Sequence, residues 1–298
     1  MLAEQILKGC GLMQEGDSAD LCRFLQQHER IAVLTGAGCS TASGIPEYRD
    51  DLGEWKHAPP VQFADFMASD TVRQRYWARS FSGWPRMSAA EPNAAHQALT
   101  SLEQTNRSAG LITQNVDNLH SLAGSRNVLD LHGTLKRVRC MNCNETFRRA
   151  DIQDRLTADN PHWQPAEASS RPDGDAELGN APVAQFRVPA CDLCGGILKP
   201  DVVFFGESVP AERVTLARRF VSDADALLVV GSSLMVYSGF RFVRQASDSG
   251  KPIAIVNRGT TRGDTLAALR ATGDCGDLLK DACALLANGR ADAGNVHD

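Results

Sequence analysis

Short apolar runs alternate with helical patterns along most of this 298-residue chain. Each run is rich in Val, Ile, Leu or Ala and ends in glycine or polar residues, as at 31–35, 111–113, 128–131, 226–230 and 253–256. The segments 214–221 and 278–286, which lie between or after these runs, have the apolar spacing of helices. Apolar strands that alternate with helices are typical of a parallel sheet covered on both faces. The sequence therefore predicts an α/β fold.

The segment 136–199 interrupts this alternation, because it holds two C-x-x-C pairs and a polar tract too poor in apolar residues to pack a core by itself. We interpret it as an inserted small domain with a long loop at 144–190. The main domain is then expected at 1–135 and 200–290, with a helical insertion at about 50–92 and a tail at 291–298.

The two C-x-x-C pairs are Cys140 with Cys143 and Cys191 with Cys194. Each pair supplies two thiolates, which can hold one edge of a zinc tetrahedron at ~2.3 Å per Zn–S bond. The gap between the pairs is longer than in a compact zinc ribbon, so a redox motif or unrelated buried thiols are the alternatives. Four sulfur ligands would leave no open position, and we therefore predict one structural zinc ion.

A loop of small residues follows the first strand, from Gly36 to Pro46. Its spacing is not G-x-G-x-x-G, so the loop alone indicates either a nucleotide site or a tight turn. Polar residues also close the later strands: Thr113-Gln114-Asn115-Val116-Asp117, Leu131-His132-Gly133, Gly231-Ser232-Ser233 and Asn257-Arg258-Gly259. Open parallel sheets bind ligands at these carboxyl ends. His132 is a general-base candidate there, and a hydrogen-bonded core histidine is the alternative.

The segments GAGCSTASGIPEYRD, TQNVDNLH, LHG, KPDVVFFGE, GSSLMVYSG and IVNRG, together with the paired C-x-x-C motifs, resemble the sirtuin family of NAD-dependent protein lysine deacylases. The resemblance covers about residues 28–287. FSGWP, PNAAHQAL, RQRYWARSF, VYSGFRF and the long insertion between the cysteine pairs resemble the class II branch. The resemblance implies a Rossmann-type NAD domain, a zinc-ribbon small domain and a substrate cleft between them.

Transferred to this sequence, the resemblance implies His132, Asn115 and Asp117 as catalytic residues. It implies NAD contacts from Gly36, Ala37, Gly38, Ser40, Ile45, Pro46, Tyr48, Arg49, Gln114, Asn115, Val116, Asp117, Gly231, Ser232, Ser233, Asn257, Arg258, Gly259 and Cys275. The acylated substrate would pair with Val203, Phe204, Phe205, Gly206 and Val236. One departure is Cys39, which stands where the family usually has Ile.

The implied reaction transfers an acyl group from lysine to ADP-ribose, with NAD as co-substrate and nicotinamide and O-acyl-ADP-ribose as products. His132 would deprotonate a ribose hydroxyl. A protein mono-ADP-ribosyltransferase using the same cleft is the nearest alternative, followed by a hydride-transferring dehydrogenase and a non-enzymatic zinc-ribbon binding module.

Tyr76 and Arg79 are three residues apart on a predicted helix and so share one face. A related sirtuin branch that is selective for acidic acyl groups has a Tyr and an Arg at this spacing. We therefore consider the hypothesis that the protein prefers acidic or branched acyl groups to acetyl. The alternative is a solvated arginine.

The formal net charge of −5 argues against a general nucleic-acid binder. The longest uncharged stretch, residues 226–240, is shorter than the ~18 apolar residues that read as a membrane span. The N-terminal segment lacks the pattern of a signal or organelle presequence. We therefore expect a cytoplasmic, bacterial protein whose partners are acylated lysines of proteins or peptides, with no nucleic acid and no membrane.

Overall fold

The computed structural model describes residues 14–56, 60–163, 175, 178 and 183–294. Its strands, in chain order, are β1 Gln14–Gly16, β2 Ile31–Thr35, β3 Ser108–Thr113, β4 Val128–Asp130, β5 Gly133–Cys140, β6 Thr146–Arg148, β7 Leu198–Val202, β8 Ala226–Val230, β9 Ile253–Val256 and β10 Leu269–Ala271. The helices are α1 Ser18–Gln27, α2 Phe63–Ala68, α3 Asp70–Ser88, α4 Ala94–Gln104, α5 Leu119–Leu122, α6 Arg149–Asp159, α7 Ala211–Asp223, α8 Tyr237–Asp248 and α9 Cys275–Gly294.

Seven strands form a parallel sheet in the order β1-β10-β9-β8-β2-β3-β4. Successive residues of β2 point to opposite faces, since Ile31 and Val33 pack with α1, α4 and α9, whereas Ala32 and Leu34 pack with α7 and α8. Both faces are therefore buried, and the predicted α/β fold with a helix-covered parallel sheet is confirmed.

The strand order changes direction at β2, which pairs with β3 on one side and with β8 on the other. Chain connections leave β2 in opposite directions at such a switch point, so a crevice opens at the carboxyl ends of the strands. The loops that follow β2, β3 and β8 meet there.

A smaller antiparallel sheet, in the order β6-β5-β7, packs with α2, α3 and α6 around a third core. The Trp77 Nε1–H in α3 donates to the Leu198 carbonyl in β7 at 3.2 Å, which ties the helical insertion to this sheet. The small sheet adjoins the crevice, because β5 begins directly after His132 and its first residue, Gly133, pairs with Val202 at the end of β7.

The segment that we expected to be a loop, 144–190, instead contains β6 and α6. Ile152 and Leu156 of α6 lie four residues apart and are buried, and this spacing places them on one helix face. The polar tract that follows them masked this signal in the sequence. Most of that tract, residues 164–174, 176–177 and 179–182, lies outside the described residues.

The last helix continues to Gly294 and so includes the first residues of the expected tail. Among the helices of the described chain, none combines the length and the apolar character that crossing a membrane requires.

Candidate active site

A cleft of about 380 Å³ lies at the carboxyl ends of β2, β3, β8 and β9. All of the residues predicted to contact NAD line it except Pro46. All of the predicted substrate residues line it except Arg79. The structure thus brings together residues from at least five separate segments of the chain.

The glycine loop after β2 forms one wall of the cleft by direct backbone contact with the loop after β8. The Gly38 N–H donates to the Gly231 carbonyl at 2.8 Å. Gly231 has a φ of +60°, and a Cβ at this position would lie 2.2 Å from the Cys39 nitrogen. A side chain at position 231 would therefore push the two loops apart, and this close approach leaves backbone groups lining the cleft.

A buried hydrogen-bond network orients the polar residues that follow β3. The Asn115 Nδ2 donates to the Gly36 carbonyl and to Ser40 Oγ, each at 3.0 Å. Ser40 Oγ in turn donates to Asp117 Oδ2 at 2.8 Å. Burial raises the pKa of Asp117, while the hydrogen bonds from the Leu119 N–H and from Ser40 oppose that rise. The amide and the carboxyl group are therefore held beside the glycine loop.

His132 is fixed by hydrogen bonds at both ring nitrogens. Its Nδ1 lies 3.0 Å from the Gln114 carbonyl oxygen, and its Nε2 lies 2.8 Å from Ser238 Oγ. Burial, opposed by the hydrogen bond with the Gln114 carbonyl and assisted by the charges of Arg213 and Arg241, lowers the pKa of His132 to about 4. The imidazole is therefore neutral near pH 7 and can accept a proton.

Residues 202–207 form the opposite wall. The Val203 N–H donates to the His132 carbonyl at 2.7 Å, and the Phe205 carbonyl accepts from the Phe63 N–H at 2.8 Å. Phe204 is buried against Tyr76 and Phe66. This wall therefore has a fixed backbone, and Gly206 and Val236 are exposed beside it.

Lys199 and Glu207, the first and last residues of the KPDVVFFGE segment, hold this wall in place, although the sequence analysis assigned a role to neither. The Lys199 ammonium donates to the carbonyls of Pro200 and Val202 and to Glu207 Oε2. The same carboxylate oxygen accepts from the Phe204 N–H at 2.8 Å. Burial lowers the pKa of Lys199, whereas the Glu207 carboxylate raises it. The sequence does not indicate that these two side chains, eight positions apart, contact each other, and the fold reveals this pair.

Tyr76 lines the cleft, but Arg79 forms an ion pair with Asp175 at 3.4 Å. The Asp175 side chain is 1% exposed and the Arg79 side chain 13%. The guanidinium thus has a carboxylate partner within the protein. This placement does not support the expectation that Arg79 faces the acyl group.

The four cysteines of the C-x-x-C motifs converge at the end of β5. All four Sγ atoms lie within 4.8 Å of one another, with Cys140 and Cys194 at 3.5 Å and Cys143 and Cys191 at 3.8 Å. A zinc tetrahedron with Zn–S bonds of ~2.3 Å has S–S edges of about 3.8 Å. All four thiols are free of disulfides. Their geometry therefore fits a closed, structural zinc site.

The chain matches the model of the Sir2 family over residues 36–238. An NAD-dependent protein deacetylase of Xanthomonas campestris pv. campestris (strain 8004) is 55% identical over 87% of this chain and 88% of the relative. The human NAD-dependent protein lipoamidase sirtuin-4, mitochondrial, is 48% identical over 87% of this chain and 84% of its own length. The chain therefore belongs to the Sir2, or sirtuin, family.

Solved structures of Sir2 enzymes have the same fold. One of them, described as a Sir2–p53 peptide–NAD⁺ complex, superposes with a TM-score of 0.73 at 27% identity, covering 93% of this chain and all of the other. A second, from a study of the mechanism and regulation of Sir2 enzymes, has a TM-score of 0.73 at 29% identity and covers 92% of this chain and 99% of its own. The resemblance stated from the sequence motifs is confirmed.

Proposed function

We propose that this protein removes acyl groups from lysine side chains of proteins or peptides, using NAD as co-substrate and releasing nicotinamide and O-acyl-ADP-ribose. The observation that carries the proposal is the position of His132. Its neutral imidazole lies in the cleft between the glycine loop and the wall formed by 202–207. A base in that position can serve both an NAD molecule on one wall and a peptide on the other.

NAD supplies a ribose carbon that becomes reactive as nicotinamide leaves. The glycine loop offers backbone groups for the phosphates, because Gly36, Gly38 and Gly231 allow the loops after β2 and β8 to pack closely and so leave backbone groups lining the cleft. Asn115 and Asp117 lie beside the loop and would orient the nicotinamide end. Such alignment of the reacting groups contributes several kcal/mol to catalysis in general.

The acylated lysine would enter along the wall formed by 202–207. Gly206 and Val236 are exposed on either side of the entrance, so an extended peptide can pair with the backbone there as an added strand. The acyl oxygen would then lie near the ribose, and the wall's fixed backbone would hold it there.

The proton transfer that follows is the function of His132. An imidazole that is neutral near pH 7 is in the protonation state that a general base requires, and proton transfer by a positioned side chain typically contributes ~10²–10⁴-fold. The zinc ion would take no part in chemistry because all four of its ligand positions are filled by sulfur. Its function would be to hold the small domain together.

The ADP-ribosyltransferase alternative finds no support in the comparisons, because the bacterial relatives are named deacetylases and the human relative a lipoamidase. The name of the human relative suggests a lipoyl group as one acyl group to test beside acetyl. A cytoplasmic location in a bacterium remains our expectation.

The test is an assay by mass spectrometry with NAD and a set of acetyl-, lipoyl-, glutaryl- and hydroxymethylglutaryl-lysine peptides. We expect free lysine peptide and nicotinamide in equal amounts. The variant His132→Ala should lose product formation by ~10²–10⁴-fold. The matched control is His162→Ala, since His162 is exposed. Transfer of ADP-ribose to protein without loss of the acyl group would instead support the alternative.

A further inference from the structure

The Ser238 hydroxyl lies 2.8 Å from the Nε2 atom of His132, and both residues line the cleft. Ser238 is the second residue of α8. Nothing in the sequence analysis singled it out, although it belongs to the VYSG motif. Ser238 contacts His132 directly, so the role of Ser238 depends on which atoms of these two side chains carry the protons.

The hydrogen-bond partners assign these protons. A backbone carbonyl can only accept, so the Nδ1 atom of His132 must carry the hydrogen that is donated to the Gln114 carbonyl. In a neutral imidazole the other nitrogen is then the acceptor. The Ser238 hydroxyl therefore donates its proton to Nε2, which is the atom that would accept a proton during the reaction.

The Nε2 atom has a single lone pair in the ring plane, and Ser238 occupies it. A substrate hydroxyl can therefore reach the base in two ways: it displaces Ser238, or it donates to the Ser238 oxygen, whose lone pairs can accept. The two routes predict opposite effects when the hydroxyl is removed.

The surroundings fix Ser238 in its position. A Cβ on the next residue, Gly239, would lie 2.3 Å from Gln114 Oε1, so the first turn of α8 packs closely against the Gln114 side chain. Gln114 is held in turn, because its Nε2 donates to the Thr35 carbonyl at 3.1 Å and to Ser232 Oγ at 2.8 Å. Gln114 thus orients His132 through its backbone and positions Ser238 through its side chain. Because His132 and Ser238 are both held in position, proton transfer through Ser238 is favoured over displacement of Ser238 by the substrate hydroxyl.

We propose that Ser238 relays the proton from the substrate hydroxyl to His132. In this step the substrate O–H bond breaks as a new O–H bond forms at Ser238 Oγ. The original Ser238 O–H bond breaks as the Nε2–H bond forms, which leaves a neutral serine and an imidazolium. The inference rests on the proposed function, because the substrate hydroxyl is that of the NAD ribose.

The test separates two steps of the reaction. Exchange of labelled nicotinamide into NAD, in the presence of acyl peptide, measures the step before the base acts. Formation of free lysine peptide measures the complete reaction. The variants are Ser238→Ala, Ser238→Thr, which keeps a hydroxyl, and the matched control Ser247→Ala at the other end of the same helix.

We expect Ser238→Ala to lower deacylation on the order of 100-fold, the lower end of what positioned proton transfer contributes, while nicotinamide exchange is unchanged. Ser238→Thr should restore deacylation, and Ser247→Ala should equal the wild type in both assays. Equal losses of exchange and deacylation in Ser238→Ala would indicate a structural role and overturn the relay. Unchanged or faster deacylation would overturn it as well. If the wild-type protein shows no exchange with any acyl peptide, the proposed function itself fails.

Discussion

Three buried histidines, His96, His120 and His132, make the folded protein sensitive to mild acid. Burial lowers the pKa of His96 and of His132 to about 4 and, together with the charge of His96, lowers that of His120 to about 3. In the unfolded chain each would have a pKa near 6.5. The unfolded state therefore binds more protons than the native state below pH 6.5, and stability falls as the pH falls through the window from about 6.5 to about 4.

The magnitude follows from these pKa values. As the pH falls from 7 to 5, each histidine becomes protonated in the unfolded chain but stays neutral in the native state. This difference lowers the free energy of unfolding by about 2 kcal/mol per histidine. Asp130 opposes this trend, because burial raises its pKa to about 6 and its protonation then stabilises the native state by about 1 kcal/mol at pH 5. Burial also raises the pKa of Asp117, which opposes the trend in the same way, so the net loss is at most about 5 kcal/mol, still a large part of the ~5–15 kcal/mol stability of a typical domain.

Urea unfolding followed by tryptophan fluorescence at pH 7 and pH 5 measures this loss. The variants His120→Asn and His96→Asn should each lose about 2 kcal/mol less between the two pH values than the wild type, although both start from a lower stability at pH 7. His162→Asn, at an exposed site, is the control. Zinc release at pH 5 is followed in parallel with a chelating dye, because its contribution is common to all variants. An equal pH dependence in the wild type and both variants would refute the reasoning.

Three further predictions concern the metal, the loop contact and the acyl group. Cys194→Ser should reduce bound zinc, measured by atomic absorption, from one ion per chain to none; retention of a full ion would contradict the closed four-sulfur site. Gly231→Ala should abolish NAD binding in calorimetry because of its 2.2 Å clash, whereas Gly44→Ala, whose Cβ meets nothing within 4 Å, should lose only about 1–2 kcal/mol of stability from its φ of +81°. Because Arg79 forms an ion pair with the buried Asp175, Arg79→Ala should lower acetyl and glutaryl turnover to the same extent, and a selective loss of glutaryl turnover would instead support the acidic-acyl hypothesis.

The sheet and most of the cleft could be predicted from the sequence because their signals are local. An apolar run followed by glycine or polar residues, as at 31–36, identifies both a strand and the end of the strand at which ligands bind. The parallel sheet brings these ends together whatever the intervening helices are. This explains why the residues after β2, β3, β8 and β9 line one cleft although the first and the last of them, Gly36 and Gly259, are more than 200 residues apart in the chain.

The contacts that the sequence analysis missed join residues that lie in different secondary-structure elements or loops, most of them far apart in the chain. His132 and Ser238 are 106 residues apart, and neither the strand pattern nor the VYSG motif indicates that they meet. Arg79 shares a helix face with Tyr76, as predicted, but its partner Asp175 lies within the polar tract that gave no structural signal. Local periodicity predicts which face a side chain occupies, but its partner depends on the tertiary fold.

The geometry of β7 connects the cysteine cluster to the substrate wall. Cys140 at the end of β5 pairs with Leu198 at the start of β7, and β7 continues directly into 203–206. Lys199 of the same strand binds the carboxylate that holds the Phe204 N–H. The glycine loop, by contrast, is held by the large sheet through the Gly231 contact. Loss of zinc in Cys194→Ser should therefore weaken binding of the acyl peptide more than binding of NAD, because the metal fixes only the wall along which the peptide lies.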